Sequence, residues 1–262
     1  MENREFYIDH DGIALHAKLT FPAGEKEKYP MLIILHGYTG DMEEPHIVAV
    51  AETAAQIGFA ALRIELYGHG KSGGTFRDHT VPKWVSEMLT VIDYAKGLDF
   101  VDGLYLAGHS QGGLTVMLAA ALKRDVLDGL IPLAPATVIP DMACRGQVFE
   151  AEFDPDHIPD EIIPSEGRVL SGNYVRTAQM LPVDEAIRMF RKPVLIVHAD
   201  TDESVPVSYA CDAAEAYANA QLVIIKGDTH CYDRKLPEMI KAVRDFLIRT
   251  EAARKKSAGH EE

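Results

Sequence analysis

The fold is decided by the stretch Leu104-Tyr-Leu-Ala-Gly-His-Ser-Gln-Gly-Gly-Leu-Thr-Val-Met-Leu-Ala-Ala-Ala-Leu122, which predicts a short apolar strand, a sharp turn and a helix. Within the turn, Gly108-His-Ser-Gln-Gly112 fits the G-x-S-x-G pattern of a nucleophile elbow. A serine on so tight a turn needs small residues on both sides, and Gly108 and Gly112 meet that need. The helix that follows directs its first amides at Ser110 and favours negative charge there. An ordinary flexible turn is the alternative, which the flanking strand and helix patterns disfavour.

The rest of the chain alternates strands with helices. The continuous apolar run at 31–35 is typical of a strand covered on both faces, and Asp-Gly at 11–12 predicts an N-terminal hairpin. Further strands are predicted at 59–64, 129–133, 193–198 and 221–225, and helices at 44–57, 82–95, 184–190, 208–217 and 236–249. This order predicts an α/β fold with a mostly parallel sheet flanked by helices, the hairpin forming an antiparallel edge.

Two segments depart from this alternation. Residues 136–182 hold scattered Pro, Gly, Asp and Glu with only short apolar pairs, so we expect an insertion over the top of the sheet. The tail at 250–262 is charged, and we expect it to be frayed. With 262 residues and no linker pattern, the chain predicts a single domain over 1–262 that carries this insertion.

Composition limits the classes of partner. The 26 basic and 40 acidic residues give a net charge of −14, which argues against nucleic acid and against an anionic membrane surface. A small-molecule ligand is the expected partner, and a homodimer is compatible with the composition. The charged N-terminus shows no apolar signal-peptide segment, and the three cysteines at 144, 211 and 231 lack C-x-x-C spacing. We therefore expect a cytoplasmic protein with reduced thiols.

The carboxyl ends of parallel strands share one rim of a sheet, and the polar residues of interest follow those ends. A serine hydroxyl needs a base, which in turn needs an orienting acid. His230 follows the last predicted strand, and apart from His260 in the tail it is the only histidine beyond that strand. Asp200 and Asp202 compete for the role of the acid, and Asp202 is favoured because Asp-x-x-Val-Pro places it at the apex of the turn. Asp200 would then be a turn-former.

An oxyanion that develops on the substrate needs two amide donors. We expect them to be the N–H of Gln111, directly after the nucleophile, and the N–H of Tyr38 in the loop after the strand at 31–35. The side chains of His36, His69 and His109 are expected to brace loops. No pair of histidines shows metal-ligand spacing with a third ligand, so neither a metal nor a cofactor is predicted.

These motifs resemble those of serine α/β-hydrolases, and the chain is most similar to the bacterial cinnamoyl (feruloyl) esterases. The resemblance rests on Leu35-His-Gly-Tyr-Thr-Gly40, Tyr67-Gly-His-Gly-Lys-Ser72, Gly108-His-Ser-Gln-Gly112, Asp202-Glu-Ser-Val-Pro206 and Gly227-Asp-Thr-His230, and more weakly on Leu133-Ala-Pro-Ala136, Asp141 and Gly172-Asn-Tyr-Val-Arg176. It implies an α/β-hydrolase fold with a small inserted lid subdomain at about 136–182. It also implies a serine carboxylesterase with Ser110, Asp202 and His230 as its catalytic residues.

The same resemblance implies hydroxycinnamate esters as substrates, with Asp141, Tyr174 and, more weakly, Gln147 binding the phenolic hydroxyls. An aromatic acid fits this picture because it needs a flat apolar slot with a few polar anchors. The alternative for these residues is structural, with Asp141 capping a helix and Tyr174 packing in the insertion. A short-chain acyl esterase, a monoacylglycerol-lipase-like hydrolase or a thioesterase are alternative activities on the same scaffold, and a non-catalytic ligand receptor is a more remote one.

Overall fold

A computed structural model describes residues 2–24, 26–165 and 167–258 of the chain. Its strands are β1 (Asn3–His10), β2 (Ile13–Thr20), β3 (Tyr29–Leu35), β4 (Ala60–Ile64), β5 (Val101–His109), β6 (Gly129–Leu133), β7 (Gln147–Val148), β8 (Ala151–Glu152), β9 (Glu161–Ser165), β10 (Arg168–Ser171), β11 (Val194–Ala199) and β12 (Ala220–Ile225). Eight of them form one sheet in the order β1-β2-β4-β3-β5-β6-β11-β12. All neighbours from β4 to β12 pair in parallel, whereas β2 is antiparallel to both β1 and β4. The predicted α/β-hydrolase fold is confirmed, including its antiparallel edge.

Helices cover both faces of this sheet. They are α1 (Pro45–Gln56), α2 (Val81–Lys96), α3 (Gln111–Leu122), α4 (Ile139–Cys144), α5 (Gly172–Ala178), α6 (Val183–Met189), α7 (Val207–Ala216) and α8 (Leu236–Ala258). Alternate residues of β3 explain its unbroken apolar run, because Met31 and Ile33 pack with α2 and α3 while Leu32 and Ile34 pack with α1 and α8. None of the helices in the described part of the chain has both the length and the apolar character needed to cross a bilayer.

The N-terminal hairpin turns through Asp11 and Gly12, whose φ angles of 50° and 82° lie in the left-handed region. Glycine and aspartate are the residues that such a two-residue turn favours, as the Asp-Gly pair predicts. The register pairs His10 with Ile13, so no further residue separates the strands.

The C-terminal end of the described chain differs from expectation. Helix α8 continues to Ala258 instead of fraying after residue 249. Its last turns are anchored because the Tyr105 hydroxyl donates to Glu251 at 2.9 Å and Arg254 donates to the carbonyl oxygen of Asp102 at 2.6 Å. Two contacts to strand β5 therefore hold a segment whose charge pattern predicts a solvated tail. Residues 259–262, which include His260, lie outside the described residues.

The insertion, residues 136–182, has more regular structure than its sequence predicts. It contains α4, the paired strands β7–β8 and β9–β10, and α5. Its apolar side chains form a core cluster of their own, with Ile139, Val148, Leu170 and Tyr174 buried against Leu114 of α3 and Tyr38. The elements are too short for a clear period, which is why the sequence alone does not show them.

Candidate active site

Ser110 lies at the tip of the turn between β5 and α3 in a strained backbone conformation. Its φ of 56° and ψ of −121° are unfavourable for a residue with a Cβ atom, and such strain persists only where the surroundings impose it. The end of β6 and the loop after it hold the residue in place here, because the Ser110 N–H donates to Leu133 O at 2.9 Å and the Ala136 N–H donates to Ser110 O at 3.0 Å.

The glycines of the elbow are required by close approach. A Cβ atom on Gly108 would collide with the backbone of Gly112, and one on Gly112 would collide with the carbonyl oxygen of His36. The loop after β3 is also near, since a Cβ atom on Gly37 would lie 3.2 Å from Ser110 Cβ, a tight contact but not a collision with backbone. Glycine is therefore needed for steric reasons on both sides of Ser110.

Asp202 and His230 form a partly buried hydrogen bond on the rim. The Asp202 Oδ2 and His230 Nδ1 atoms are 2.7 Å apart, and the Asp202 side chain is fully buried. Its other oxygen, Oδ1, accepts the N–H groups of Ser204 and Val205 at 2.8 Å each. Burial alone would raise the pKa of Asp202, but the hydrogen bond and charge of His230 together with these amides lower it. An ionised Asp202 fixes the Nδ1–H tautomer of His230 and leaves Nε2 free to accept a proton.

Asp200, the alternative acid, has other partners. It accepts the N–H of Gly227 at 2.5 Å and lies 3.3 Å from Lys226 Nζ. It therefore stabilises the turn after β12, as expected of a turn-former, while Asp202 contacts the imidazole.

Ser110 and His230 line the same cavity. Within residues 2–24, 26–165 and 167–258 no hydrogen bond joins the Ser110 hydroxyl to the His230 ring. Catalytic hydrogen bonds are often long without substrate and tighten when it binds. The arrangement can thus supply a nucleophile and an oriented base to one substrate atom.

The two residues expected to supply oxyanion amides, Tyr38 and Gln111, line the same cavity. Gln111 is the first residue of α3, so the helix provides no acceptor for its N–H. Tyr38 lies in the loop that contacts Ser110, and His69 Nε2 holds that loop through Tyr38 O at 2.5 Å. His109 braces the opposite side, since its Nε2 is 3.0 Å from His230 O. These two histidines hold loops in place, as the sequence predicts.

The cavity above Ser110 has a volume of about 160 Å³, and the insertion forms one wall of it. The insertion contributes mainly apolar side chains, namely Ala136, Val138, Ile139, Met142, Val148, Phe149 and Tyr174. The ring of Phe149 lies 4.7 Å from that of Tyr38, at an interplanar angle of 32°. Phe149 has a positive φ of 50° and belongs to no periodic pattern, so its position in the cavity could not be predicted from the sequence.

The three predicted substrate-binding residues are placed differently from one another. Tyr174 lines the cavity, but its hydroxyl donates to Gln111 Oε1 at 2.7 Å instead of being free for a ligand. Asp141 lies outside the cavity and accepts the Tyr209 hydroxyl at 2.7 Å. Gln147 also lies outside it, with its amide donating to Phe149 O at 3.1 Å. The structure therefore does not bring Asp141 or Gln147 to the cavity, because each is satisfied by a neighbour on its outer side.

Two further features of the site were not predicted from the sequence. His198, at the end of β11, lies 3.3 Å from Asp202 Oδ2 and bonds Val205 O at 2.9 Å, so it helps to fix the acid. A second group, Glu44, His46 and His109, brings three ligand-type atoms within 4.8 Å of one another beside the cavity. Glu44 and His46 are separated from His109 by more than 60 residues, so their spacing gave no indication of a cluster.

A serine held on a strained strand-to-helix turn beside an Asp–His pair defines a serine hydrolase of the α/β class. Comparison with known protein families supports the same class. The family model described as "Serine aminopeptidase, S33" matches residues 26–167, and that described as "TAP-like protein" matches residues 171–258. The chain belongs to the serine α/β-hydrolase family.

Individual relatives show more closely which members of the family this chain is similar to. A structure of Est1E from Butyrivibrio proteoclasticus with ferulic acid bound is 53% identical, has a TM-score of 0.93, and the match covers 94% of this chain and 99% of that one. The palmitoyl-protein thioesterase ABHD10 of Mus musculus is 33% identical over 232 residues, which are 85% of this chain and 76% of the relative. Protein ABHD12B of Homo sapiens is 23% identical over 87% of this chain, and the match spans 63% of that relative's length.

Proposed function

We propose that this protein is an esterase that hydrolyses hydroxycinnamate esters, such as those of ferulate, caffeate and p-coumarate. The observation that carries the proposal is the apolar, aromatic-walled cavity that opens on Ser110. The rings of Tyr38 and Phe149, which lie in contact at a tilt of 32°, offer aromatic surface to a planar acyl group. The Est1E relative, with its bound ferulic acid, supports the same acyl class.

The geometry suits hydrolysis through an acyl-enzyme. Ser110 Oγ attacks the ester carbonyl while its proton passes to His230 Nε2, and Asp202 stabilises the imidazolium that forms. The amides of Tyr38 and Gln111 bind the oxyanion. The C–O bond then breaks, and the alcohol leaves with the proton from His230. A water molecule, deprotonated by His230, cleaves the acyl-serine bond and regenerates the hydroxyl. In this scheme the insertion acts as the lid that builds the acyl pocket.

A polar anchor for the phenol is available inside the cavity wall. The Tyr38 hydroxyl is buried and has no hydrogen-bond partner in the described part of the chain. A buried hydroxyl without a partner is costly, so a ligand hydroxyl that reaches it gains a bond at little expense. We assign the phenolic contact to Tyr38, which lines the cavity, in preference to Asp141 or Gln147, which do not.

Thioester hydrolysis is the second candidate, because the mouse relative at 33% identity is a palmitoyl-protein thioesterase. The same nucleophile and base would serve. The compact cavity favours a short planar acyl group over a long flexible one.

The test compares kcat/KM for methyl ferulate, a chain-length series of p-nitrophenyl esters and a palmitoyl thioester. We expect methyl ferulate to exceed the aliphatic esters, and a maximum at the palmitoyl thioester would contradict the proposal. Labelling of Ser110 by a fluorophosphonate probe separates both from a non-catalytic receptor, which would not react.

Tyr38→Phe sharpens the assignment of the phenolic contact, because it keeps the backbone amide and removes only the hydroxyl. We expect KM for methyl ferulate to rise about tenfold, the value of one hydrogen bond, while methyl cinnamate, which lacks the phenol, is unaffected. Equal effects on the two esters would show that Tyr38 does not bind the phenol.

A further inference from the structure

Three buried side-chain atoms beside the cavity converge without protein partners. They are Glu44 Oε2, His46 Nε2 and His109 Nδ1, and each of these residues offers a ligand-type atom within 4.8 Å of those of the other two. Each lacks a hydrogen-bond partner in the described residues, and the histidines are only 2% and 3% exposed. One unsatisfied buried polar atom costs about 1–3 kcal/mol, so three directed at one point indicate that something else occupies that point.

The protonation of His109 suits metal binding. Its Nε2 lies 3.0 Å from the carbonyl oxygen of His230, which can only accept, so Nε2 carries the hydrogen. The neutral ring then presents a lone pair at Nδ1, towards Glu44 and His46. A metal-bound histidine commonly donates its other N–H to a carbonyl in this way, which fixes both its tautomer and its orientation.

The spacing is close to that of a coordination sphere. Glu44 Oε2 and His46 Nε2 are 3.9 Å apart. A tetrahedral zinc ion with bonds of about 2.1 Å holds its ligands about 3.4 Å apart, so small side-chain rotations close the site. Two imidazoles and a carboxylate suit zinc and related transition-metal ions, whereas magnesium and calcium prefer oxygen ligands.

We propose that Glu44, His46 and His109 bind a divalent transition-metal ion such as Zn²⁺, and that this ion inhibits turnover at Ser110. Glu44 and His109 also line the catalytic cavity, so a fourth coordination position opens towards it. The ring of His109 lies 4.7 Å from that of His230 and 4.3 Å from that of His46. A dication there opposes the positive charge that His230 acquires when it accepts the serine proton.

The inhibitory effect rests on the proposed esterase function, whereas metal binding does not. Two readouts therefore separate the proposals. The full-length protein, freed of metal by a chelator, is titrated with Co²⁺ while the visible bands of tetrahedral cobalt are recorded, and Zn²⁺ is then added as a competitor. Ester hydrolysis is measured at the same metal concentrations, and each variant is normalised to its own metal-free rate.

Glu44→Gln is the decisive variant because it keeps the shape of the side chain and removes the anionic ligand. We expect it to weaken cobalt and zinc binding by more than about 100-fold. Zinc inhibition should then disappear at the zinc concentrations that inhibit the wild type. Glu52→Gln is the matched control on the exposed face of α1. His157→Ala removes a surface pair with Asp154 that could bind metal adventitiously. Both controls should bind cobalt as the wild type does.

Three results would overturn the metal site. The first is unchanged metal binding in Glu44→Gln, and the second is loss of metal binding in His157→Ala. The third is the absence of a cobalt spectrum at millimolar Co²⁺, a result that would leave water as the occupant of the cluster. Metal binding that depends on Glu44, in a protein that hydrolyses no ester, would support the site and reject the esterase function. Binding without any inhibition of an active enzyme would reject the inhibitory role.

Discussion

The loops at the rim of the sheet and the insertion above them form two halves of one cavity and are built on different principles. On the rim, Ser110 is fixed by a strained backbone and Asp202 by three hydrogen-bond donors. In the insertion, Ile139, Met142 and Phe149 contribute apolar surface without polar contacts that would fix a ligand. The difference teaches that backbone geometry and charged hydrogen bonds on the rim determine the reaction. Substrate selectivity depends instead on side-chain packing in the insertion, which can vary.

The largest expected effect tests the rim half. Ser110→Ala should lower kcat for ester hydrolysis by about 10⁴-fold or more, because no other group can form the acyl-enzyme. Steady-state kinetics on the purified variant measures this. Ser110→Gly should lose activity equally yet unfold at a higher temperature, since glycine relieves the left-handed strain by about 1–3 kcal/mol. A Ser110→Ala protein within tenfold of the wild type would exclude the proposed nucleophile.

The next comparison sets the two rim carboxylates against each other. Asp202→Asn should reduce kcat by about 10³- to 10⁴-fold, because an amide stabilises neither the Nδ1–H tautomer nor the imidazolium. Asp200→Asn should change kcat by only about twofold, since it alters a turn bond to Gly227 and not the imidazole. Measuring kcat for the two purified variants side by side shows which carboxylate orients His230. A larger loss of kcat in Asp200→Asn than in Asp202→Asn would make Asp200 the acid.

Tyr174→Phe tests the bond by which the insertion reaches the rim. The variant leaves Gln111 Oε1 buried without its donor, which should lower the free energy of unfolding by about 1–3 kcal/mol. Because we propose that the Gln111 amide binds the oxyanion, we expect kcat to fall about tenfold with little change in KM. Urea unfolding and kinetics measure the two effects. A rise in KM alone would mean that Tyr174 binds substrate directly, as the family resemblance implies.

Asp141→Asn should have the smallest effect. The carboxylate is exposed, accepts the Tyr209 hydroxyl and lies 3.7 Å from Arg145 Nη2, and it does not line the cavity, so kcat/KM for methyl ferulate should stay within about twofold of the wild type. An increase in KM of tenfold or more would show that Asp141 enters the pocket when substrate binds. That outcome would move the polar anchor from Tyr38 to the insertion.

The sequence predicts the rim well because local rules determine it. Gly108 and Gly112 are demanded by steric contact, and an unbroken apolar run such as that of β3 has few alternatives to a buried strand. Asp202 could be preferred to Asp200 from the turn pattern alone. Each of these inferences needs only residues close together in the chain.

The insertion could be located from the sequence, but its internal structure and the grouping of Glu44, His46 and His109 could not, because both depend on long-range packing. Asp141 is drawn away from the cavity by Tyr209 of α7, which lies 68 residues further along the chain. Glu44, His46 and His109 meet only after β3, α1 and β5 have packed together. No local pattern records such meetings.

The anchoring of helix α8 on strand β5 has a practical consequence. Tyr105 and Asp102 belong to the strand that ends at the nucleophile, and their partners Glu251 and Arg254 lie near the end of the last helix. A truncation before Glu251 would leave a buried phenol without its acceptor beneath the elbow, whereas a tag fused beyond Ala258 would leave these contacts intact. The final turns of this helix are therefore part of the foundation of the active site, and engineering of the C-terminus should treat them as such.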